Sequence, residues 1–466
     1  MKNILEEIEG KYPVDTILVN GEQVWPYLRM TYYFRHRKAV ASEQGEEQSI
    51  LPLPKILMET VRSSFYGFRN WFRKYDYIVL AENGTRRQVG GKYMNRLVDP
   101  VIDELGPARV LCVEGISTFP PRRLNQVYTR HVVSNSLVIL FSLLVMLLRR
   151  VFFRRYRVVN KGVMDRIETD FDLNVNATNR IEFFEARRKA FTRLFRRMRP
   201  QAILLTCYYG KEPAIRAAKS LGIKVIEVQH GVIGKEHAAY NVHRDLDRSC
   251  FPDHLLVFGK QELATFNNSC FIDLADVHPV GSFYIDYINN SHRLEPHISE
   301  QVSGYKKVVG VTLQWTFEER LVSFICEAAR LDSSILYILI PRRPEEKAHS
   351  TMDLPQNVVL IPDRDFYQLM TYCDFHSTVN STCALEAPSL GVQNILVDID
   401  GSARLYYGEV LTDDRVTRFA GTPEEYVDIV RSFARLGRDM VCQLHEDFFA
   451  ANYHENIHNF VKTHLL

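Results

Sequence analysis

The chain is 466 residues long, 46% hydrophobic and 24% charged, with a formal net charge of +2, which argues against a general nucleic-acid binder. That length exceeds one ordinary core, so two domains of about 150 to 250 residues each are expected. The eight cysteines show no C-x-x-C pair or metal-ligand spacing and no signal peptide opens the chain, so they read as reduced thiols of a cytoplasmic protein without structural zinc.

In chain order, Asp15–Val19 reads as a strand and Trp25-Pro26-Tyr-Leu-Arg29 as the head of an aromatic helix. Residues 41–50 are Glu- and Gln-rich, without apolar periodicity, and read as a loop. Tyr77–Leu80 and Val110–Val113 read as strands, with Asn95-Arg96 and Asp99-Pro100 on a helix between them. Val132–Leu148 is a run of seventeen mostly apolar residues containing Ser134, Asn135, Ser136 and Ser142, followed by Arg149, Arg150, Arg154, Arg155 and Arg157. It is short for a span, and suits a buried helix or one lying in a membrane interface with its arginines on headgroups. Ile181–Met198 spaces Phe184, Phe191, Phe195 and Met198 at about 3.6 residues, the mark of an amphipathic helix. Seven Lys or Arg residues between Arg187 and Arg199 make a basic face, suited to anionic lipid headgroups or phosphorylated substrates, or simply to solvent.

The most informative stretch follows. Ala202–Thr206 reads as a buried strand, Pro213–Leu221 as a helix closed by Gly222, and Ile223–Val228 as a second buried strand. Such a β-α-β unit has parallel strands and a right-handed crossover. Gln229-His230-Gly231 therefore falls at a carboxyl strand end, the edge at which open α/β sheets bind ligands, and the loop Tyr208–Glu212 opens on the same edge. Phe251–Gly259 reads as a further strand, and the polar segment 289–303 as an interdomain linker.

The second half repeats the alternation. Strands are expected at Lys307–Leu313, Ile335–Ile340, Val358–Ile361 and Asn394–Asp398, and helices at Phe317–Leu331, Phe366–Cys373 and from about Cys383. Thr422-Pro423-Glu-Glu425 is a capping box that starts a helix, and residues 439–466 read as largely helical.

Two sets of residues carry chemistry. His230 suits a general base for a hydroxyl, or a donor to developing negative charge, and equally a histidine satisfied by backbone. Gly231 permits close backbone approach or positive φ. Tyr208, Lys211, Glu212, Gln229, His237 and Tyr240 are its neighbours, with Glu212 and His237 as further catalytic candidates. In the second half, His376–Thr382 places hydroxyls between a strand and a helix, which suits a phosphate, although Ser381 or Thr382 also suits a plain N-cap. Arg342 and Arg343 bind phosphate oxygens in pairs, or pair with Glu345 and Glu346. Gln314 is a further candidate for the same ligand, and Glu386 is placed to reach a sugar hydroxyl. No DxD-like metal pair stands in a loop, so neither an essential metal nor another cofactor is expected.

Glu227-Val-Gln-His-Gly-Val-Ile233, Phe251-Pro-Asp-His-Leu-Leu-Val-Phe-Gly259 and Ser377-Thr378 through Leu385-Glu386-Ala387 to Leu390-Gly391 give the chain a resemblance to two-Rossmann (GT-B) glycosyltransferases, most similar to bacterial enzymes of capsule and surface-polysaccharide synthesis. Trp25-Pro26-Tyr-Leu-Arg29 resembles such proteins more weakly. The resemblance covers roughly residues 200–400. It implies an α/β fold of two Rossmann-like domains facing a cleft, with acceptor-side residues 1–288, including a helical insertion at about 120–200. The donor domain would be 304–438, with 439–466 crossing back. Gln314, Arg342, Arg343, Ser377, Thr378, Ser381, Thr382 and Glu386 would bind the donor, and Tyr208, Lys211, Gln229, Gly231 and Tyr240 the acceptor. Two departures stand out. Pro341-Arg342-Arg343 replaces the His-Pro often carried by enzymes that use CMP-linked sugars, and Thr378 stands eight before Glu386 where many retaining enzymes have a second glutamate. The expected activity is sugar transfer from a nucleotide sugar to a capsule- or lipopolysaccharide-type glycan or a lipid-linked acceptor, with no nucleic-acid partner and with peripheral contact to the inner face of the plasma membrane through the basic regions. The alternatives are a CDP-alcohol polyol-phosphate transferase, a nucleotide-sugar epimerase and a non-catalytic glycan-binding partner.

Overall fold

The computed structural model describes residues 4–43, 53–115, 122–152, 156–234, 237–266, 269–291, 294–314, 316–341, 353–361 and 364–466. The chain divides into two compact units, Met1–Val280 with His454–Leu466, and Gly281–Tyr453. The division thus falls ahead of segment 289–303, which the sequence offered as a linker; helices Phe283–Ser291 and Pro296–Ser303 occupy this region instead.

The first unit is built on seven strands: β1 (Tyr77–Glu82), β2 (Val110–Gly115), β3 (Val132–Ser134), β4 (Ala202–Thr206), β5 (Lys224–Val228), β6 (His254–Val257) and β7 (Val277–Pro279). Their order is β7-β6-β5-β4-β1-β2-β3 and every pairing is parallel. All five residues of β4 are buried, because a parallel strand covered on both faces needs a continuous apolar run and not an alternation. The β-α-β unit is present, with a helix at Glu212–Lys219 and β4 paired in parallel with β5.

Two local expectations are corrected. Asn95 lies on an antiparallel hairpin, Arg86–Val89 with Lys92–Asn95, turned by Gly90 and Gly91 at φ 55° and 80°, and the helix starts only at Asp99. Two adjacent positive-φ glycines are a hairpin turn. The apolar run Val132–Leu148 is also split. Its first three residues form β3, and α1 (Ser136–Phe152) starts after them, packed against α2 (Ala177–Met198). Among the described residues, no helix is long and apolar enough to cross a membrane.

The second unit has six parallel strands, β8 (Lys307–Thr312), β9 (Ile335–Ile340), β10 (Val358–Leu360), β11 (Phe375–Ser377), β12 (Gln393–Val397) and β13 (Thr417–Ala420), ordered β10-β9-β8-β11-β12-β13. Both units therefore have the doubly wound Rossmann arrangement, in which strand order reverses between the first and fourth strands. Thr422 caps its helix as expected, accepting from the Glu425 N–H, while the Glu425 carboxylate takes the Gly421 N–H at 2.7 Å. The last helix, α3 (Tyr453–His464), belongs from His454 onward to the first unit: Lys224 Nζ donates to the His464 carbonyl (2.7 Å) and the Tyr77 hydroxyl to that of Leu465 (3.2 Å).

Candidate functional site

In the first unit the order reverses between β1 and β4, and the chain leaves β4 under strain. Cys207 takes φ 75°, a conformation costly for a residue with a Cβ, and Gly210 follows at φ 84°. This bend turns Tyr208 into the core, where it is fully buried with its hydroxyl donating to the Ala239 carbonyl, and brings Tyr209 beside His230 and Lys211 to the strand ends. Lys211 Nζ lies 3.4 Å from both the Cys207 carbonyl and the Glu82 carboxylate at the end of β1. Glu82 has room there because Gly115, ending β2, has no side chain; a Cβ would lie 2.0 Å from its carboxylate.

Gln229 follows β5 and is fully buried. Its NH2 donates to the Gly231 carbonyl (2.9 Å) and to Glu262 (2.8 Å), and its carbonyl accepts from the Phe258 N–H. It shapes the loop and is not available to a ligand. Gly231 is not at positive φ, and a Cβ there would meet nothing within 4 Å, so what the glycine leaves open is backbone access. His230 is half-buried, with Nε2 3.3 Å from the Tyr209 hydroxyl, and its Nδ1 has no hydrogen-bond partner among the described residues. Burial, then His237 and Lys211, push its pKa down to about 4, which keeps the ring neutral. His237 also has an unpartnered Nδ1 and a pKa lowered by burial. The Tyr209 ring neighbours both, with centroids 6.0 Å from His230 and 6.2 Å from His237.

The carboxylates differ from the expectation. Glu212 opens its helix and is buried, which pushes its pKa up to about 7 against the pull of backbone N–H groups. Glu227, which stands inside an apolar strand and was not among the expected catalytic residues, is a second buried acid. It is fully buried on β5, and its Oε1 accepts from the Tyr208 N–H (3.0 Å) and the Tyr240 hydroxyl (2.6 Å). Its Oε2 has no partner among the described residues, and burial raises its pKa to about 7. The signal was a lone glutamate in Ile223–Val228, since a carboxylate inside a buried strand needs a reason.

The loop carrying His237 and Tyr240 is held from the other end of the sequence. Arg29 is fully buried and donates to the carbonyls of Ala238 (2.9 Å), Ala239 (2.8 Å) and Asn241 (2.6 Å), and to Glu9 (2.8 Å). Trp25 Nε1 donates to the same Glu9 oxygen at 3.0 Å. This is the physical content of Trp25-Pro26-Tyr-Leu-Arg29: one turn of helix that clamps the loop.

In the second unit, the reversal lies between β8 and β11, and Gln314 and residues 378–382 leave those two strands. Gln314 accepts from the Asn380 N–H (3.0 Å), so it ties the two exits together. The hydroxyls expected at a phosphate are mostly committed elsewhere. Ser377 is buried against the Tyr426 hydroxyl (2.6 Å), and Thr378 donates to the Thr312 carbonyl (3.0 Å). His376 bridges Thr312 Oγ1 (2.9 Å) and Asn394 Oδ1 (2.8 Å), with burial pushing its pKa down to about 4. Ser381 accepts from the Cys383 N–H at 3.3 Å, Thr382 is exposed, and Glu386 accepts from the Tyr367 hydroxyl at 2.6 Å. Arg342 and Arg343 lie outside the described residues.

No protein-family model matches the chain, and no curated protein matches it. Solved structures do. UDP-GlcNAc 2-epimerase from Methanocaldococcus jannaschii is similar at 12% identity over 83% of this chain and 98% of its own, with a TM-score of 0.52. The glycosyltransferase SnogD from Streptomyces nogalater matches at 13% identity over 84% and 99%, with a TM-score of 0.49. UDP-GlcNAc 2-epimerase from Neisseria meningitidis bound to UDP-GlcNAc matches at 12% over 83% and 99%, with a TM-score of 0.48. Taken with the two parallel sheets, the first of these likenesses shows the fold of this chain to be the two-Rossmann, GT-B type.

Proposed function

We propose that the protein is a nucleotide-sugar-dependent glycosyltransferase that extends a bacterial surface glycan, with the acceptor at the carboxyl edge of the first sheet and the nucleotide at that of the second. The observation that carries this reading is His230: a neutral imidazole with an unpartnered Nδ1, beside Lys211 and the unpartnered Glu227 oxygen's strand, at a sheet's ligand edge. With Nε2–H turned to the Tyr209 oxygen, the Nδ1 lone pair takes the proton of an acceptor hydroxyl. The hydroxyl oxygen then bonds to the anomeric carbon as the bond from that carbon to the nucleotide phosphate breaks, its electron pair leaving on the phosphate. A two-Rossmann fold also carries epimerases, which the archaeal neighbour exemplifies by name, and these need no acceptor. Polyol-phosphate transfer from a CDP-alcohol would leave phosphorus in the product.

The test is thermal stabilisation by CMP, CDP, UDP, GDP and TDP, followed by product analysis with the donor so identified. A shift with one nucleotide, lost in Arg342→Ala, and a phosphorus-free glycoside made only when acceptor is present support the reading. No shift with any nucleotide overturns it in favour of a glycan-binding role, and turnover without acceptor overturns it in favour of epimerisation.

Peripheral membrane contact is part of the same reading. Phe141, Leu144, Leu147, Leu148 and Phe152 on α1 are exposed, as are Leu57, Met58 and Phe65 on and after the packed helix Leu53–Ser63. Arg62 and Arg150 lie on the same two helices, Arg193 lies over the Phe141 ring and Arg197 over the ring of Phe72, which is also exposed. Apolar side chains ringed by arginines suit the boundary between acyl chains and anionic headgroups. Co-sedimentation with vesicles containing phosphatidylglycerol, lost in Leu147→Glu/Phe152→Glu, is the expected result.

A further inference from the structure

The opposite edge of the first sheet holds a cluster that the proposed chemistry does not use. His254 opens β6, Asp276 precedes β7, and His278 lies within β7, paired in register with Leu256. His254 Nδ1 lies 3.2 Å from His278 Nε2 and 3.3 Å from Asp276 Oδ1, and the three ligand atoms lie within 4.8 Å of one another. The His464 ring, near the end of α3, joins them with centroids 4.6 Å from His254 and 4.9 Å from His278.

Those spacings are informative. Four ligands at about 2.0–2.1 Å around a tetrahedral ion stand about 3.3 Å apart along each edge. Both measured separations from His254 Nδ1 match that edge. The donor set, imidazole nitrogens with one carboxylate, suits zinc, cobalt, nickel or copper, and does not suit magnesium or calcium, which take oxygen ligands. Access exists: the Asp276 side chain is 39% exposed, while that of His254 is 11% exposed.

We propose that His254, Asp276 and His278, completed by His464, bind one divalent transition-metal ion of the zinc type, which fastens the last helix to the amino-terminal edge of the first sheet. The ion is structural: the cluster sits at the starts of the strands, whereas His230 stands beyond the end of β5. The helix is already tethered there through Lys224 and Tyr77, and the ion would add a bond between its side chain and two strands.

The test uses the full chain without a histidine tag, first stripped of metal by chelator. Cobalt(II) should bind at one equivalent with the visible absorption of a four-coordinate site, be displaced by zinc, and raise the melting temperature, whereas magnesium should neither displace it nor raise the melting temperature. His278→Gln should abolish the cobalt spectrum, and Asp276→Asn and His464→Ala should each weaken binding about tenfold or more. Asp276→Asn keeps the side-chain shape at a partly exposed position, so it remains informative if His278→Gln fails to fold. A chain that takes up no cobalt overturns the site, as does one whose Asp276→Asn and His464→Ala variants bind it as tightly as the wild type.

Discussion

The two sheets share one topology, yet their carboxyl edges are finished in opposite ways. In the second unit, His376, Ser377 and Thr378 each have an internal partner. In the first, His230 Nδ1, His237 Nδ1 and Glu227 Oε2 are left without one among the described residues, next to a strained Cys207. Burying a polar group unpaired costs about 1–3 kcal/mol, so a fold tolerates three such atoms at one edge only if something else is served. Paired polar groups at a strand end are architecture, and unpaired ones point to chemistry.

The contrast can be broken by substitution. The largest effect is expected from His230→Ala, which should lower turnover by about 10²–10⁴-fold while leaving the melting temperature unchanged. Wild-type turnover in that variant would remove His230 from the mechanism. Arg29→Ala leaves Glu9 buried without its cation, and should cost about 3–5 kcal/mol in a urea titration of the first unit. His376→Ala should cost about 1–3 kcal/mol of stability with nucleotide affinity retained below the melting point. A loss of affinity with full stability would show that His376 itself serves the nucleotide.

The pH dependence sharpens the same point. The Glu227 pKa is raised to about 7 in the fold, so the stabilising contribution of its protonated form is complete below the usual carboxylate range and is lost as pH rises through 7. Glu227→Gln should therefore gain stability relative to wild type between about pH 5 and pH 8, read from paired melting curves. The smallest effect is expected for Ser377→Ala, about 1 kcal/mol, with nucleotide binding intact; loss of nucleotide binding would restore Ser377 to the phosphate site that the sequence suggested.

Element type was legible wherever the chain carries buried parallel strands. Ile335–Ile340 and Ala202–Thr206 have the bounds that their apolar runs suggest, because no alternation competes with burial on both faces. Asn95, expected on a helix, lies on a hairpin strand instead, because the pairing that makes it one comes from Arg86 across the Gly90-Gly91 turn. In the site, His230 was legible from its place after β5, but the partners that decide a hydroxyl's role were not. Ser377 meets Tyr426, and Arg29 meets Ala238, only after the chain has folded, and no local spacing encodes such meetings. Glu227 was in plain view and was masked by the apolar residues around it.

The placement of the last helix has a consequence for how this protein is made. The first unit is closed by residues 454–466, so residues 281–453 are an insertion within it. A ribosome adding about 5–20 residues per second needs roughly 10–35 s to cross that insertion. Through that interval the nascent first sheet has no helix to receive the lysine at the start of β5 or the tyrosine at the start of β1. The second unit is continuous in sequence, so the half of the molecule synthesised first is completed last.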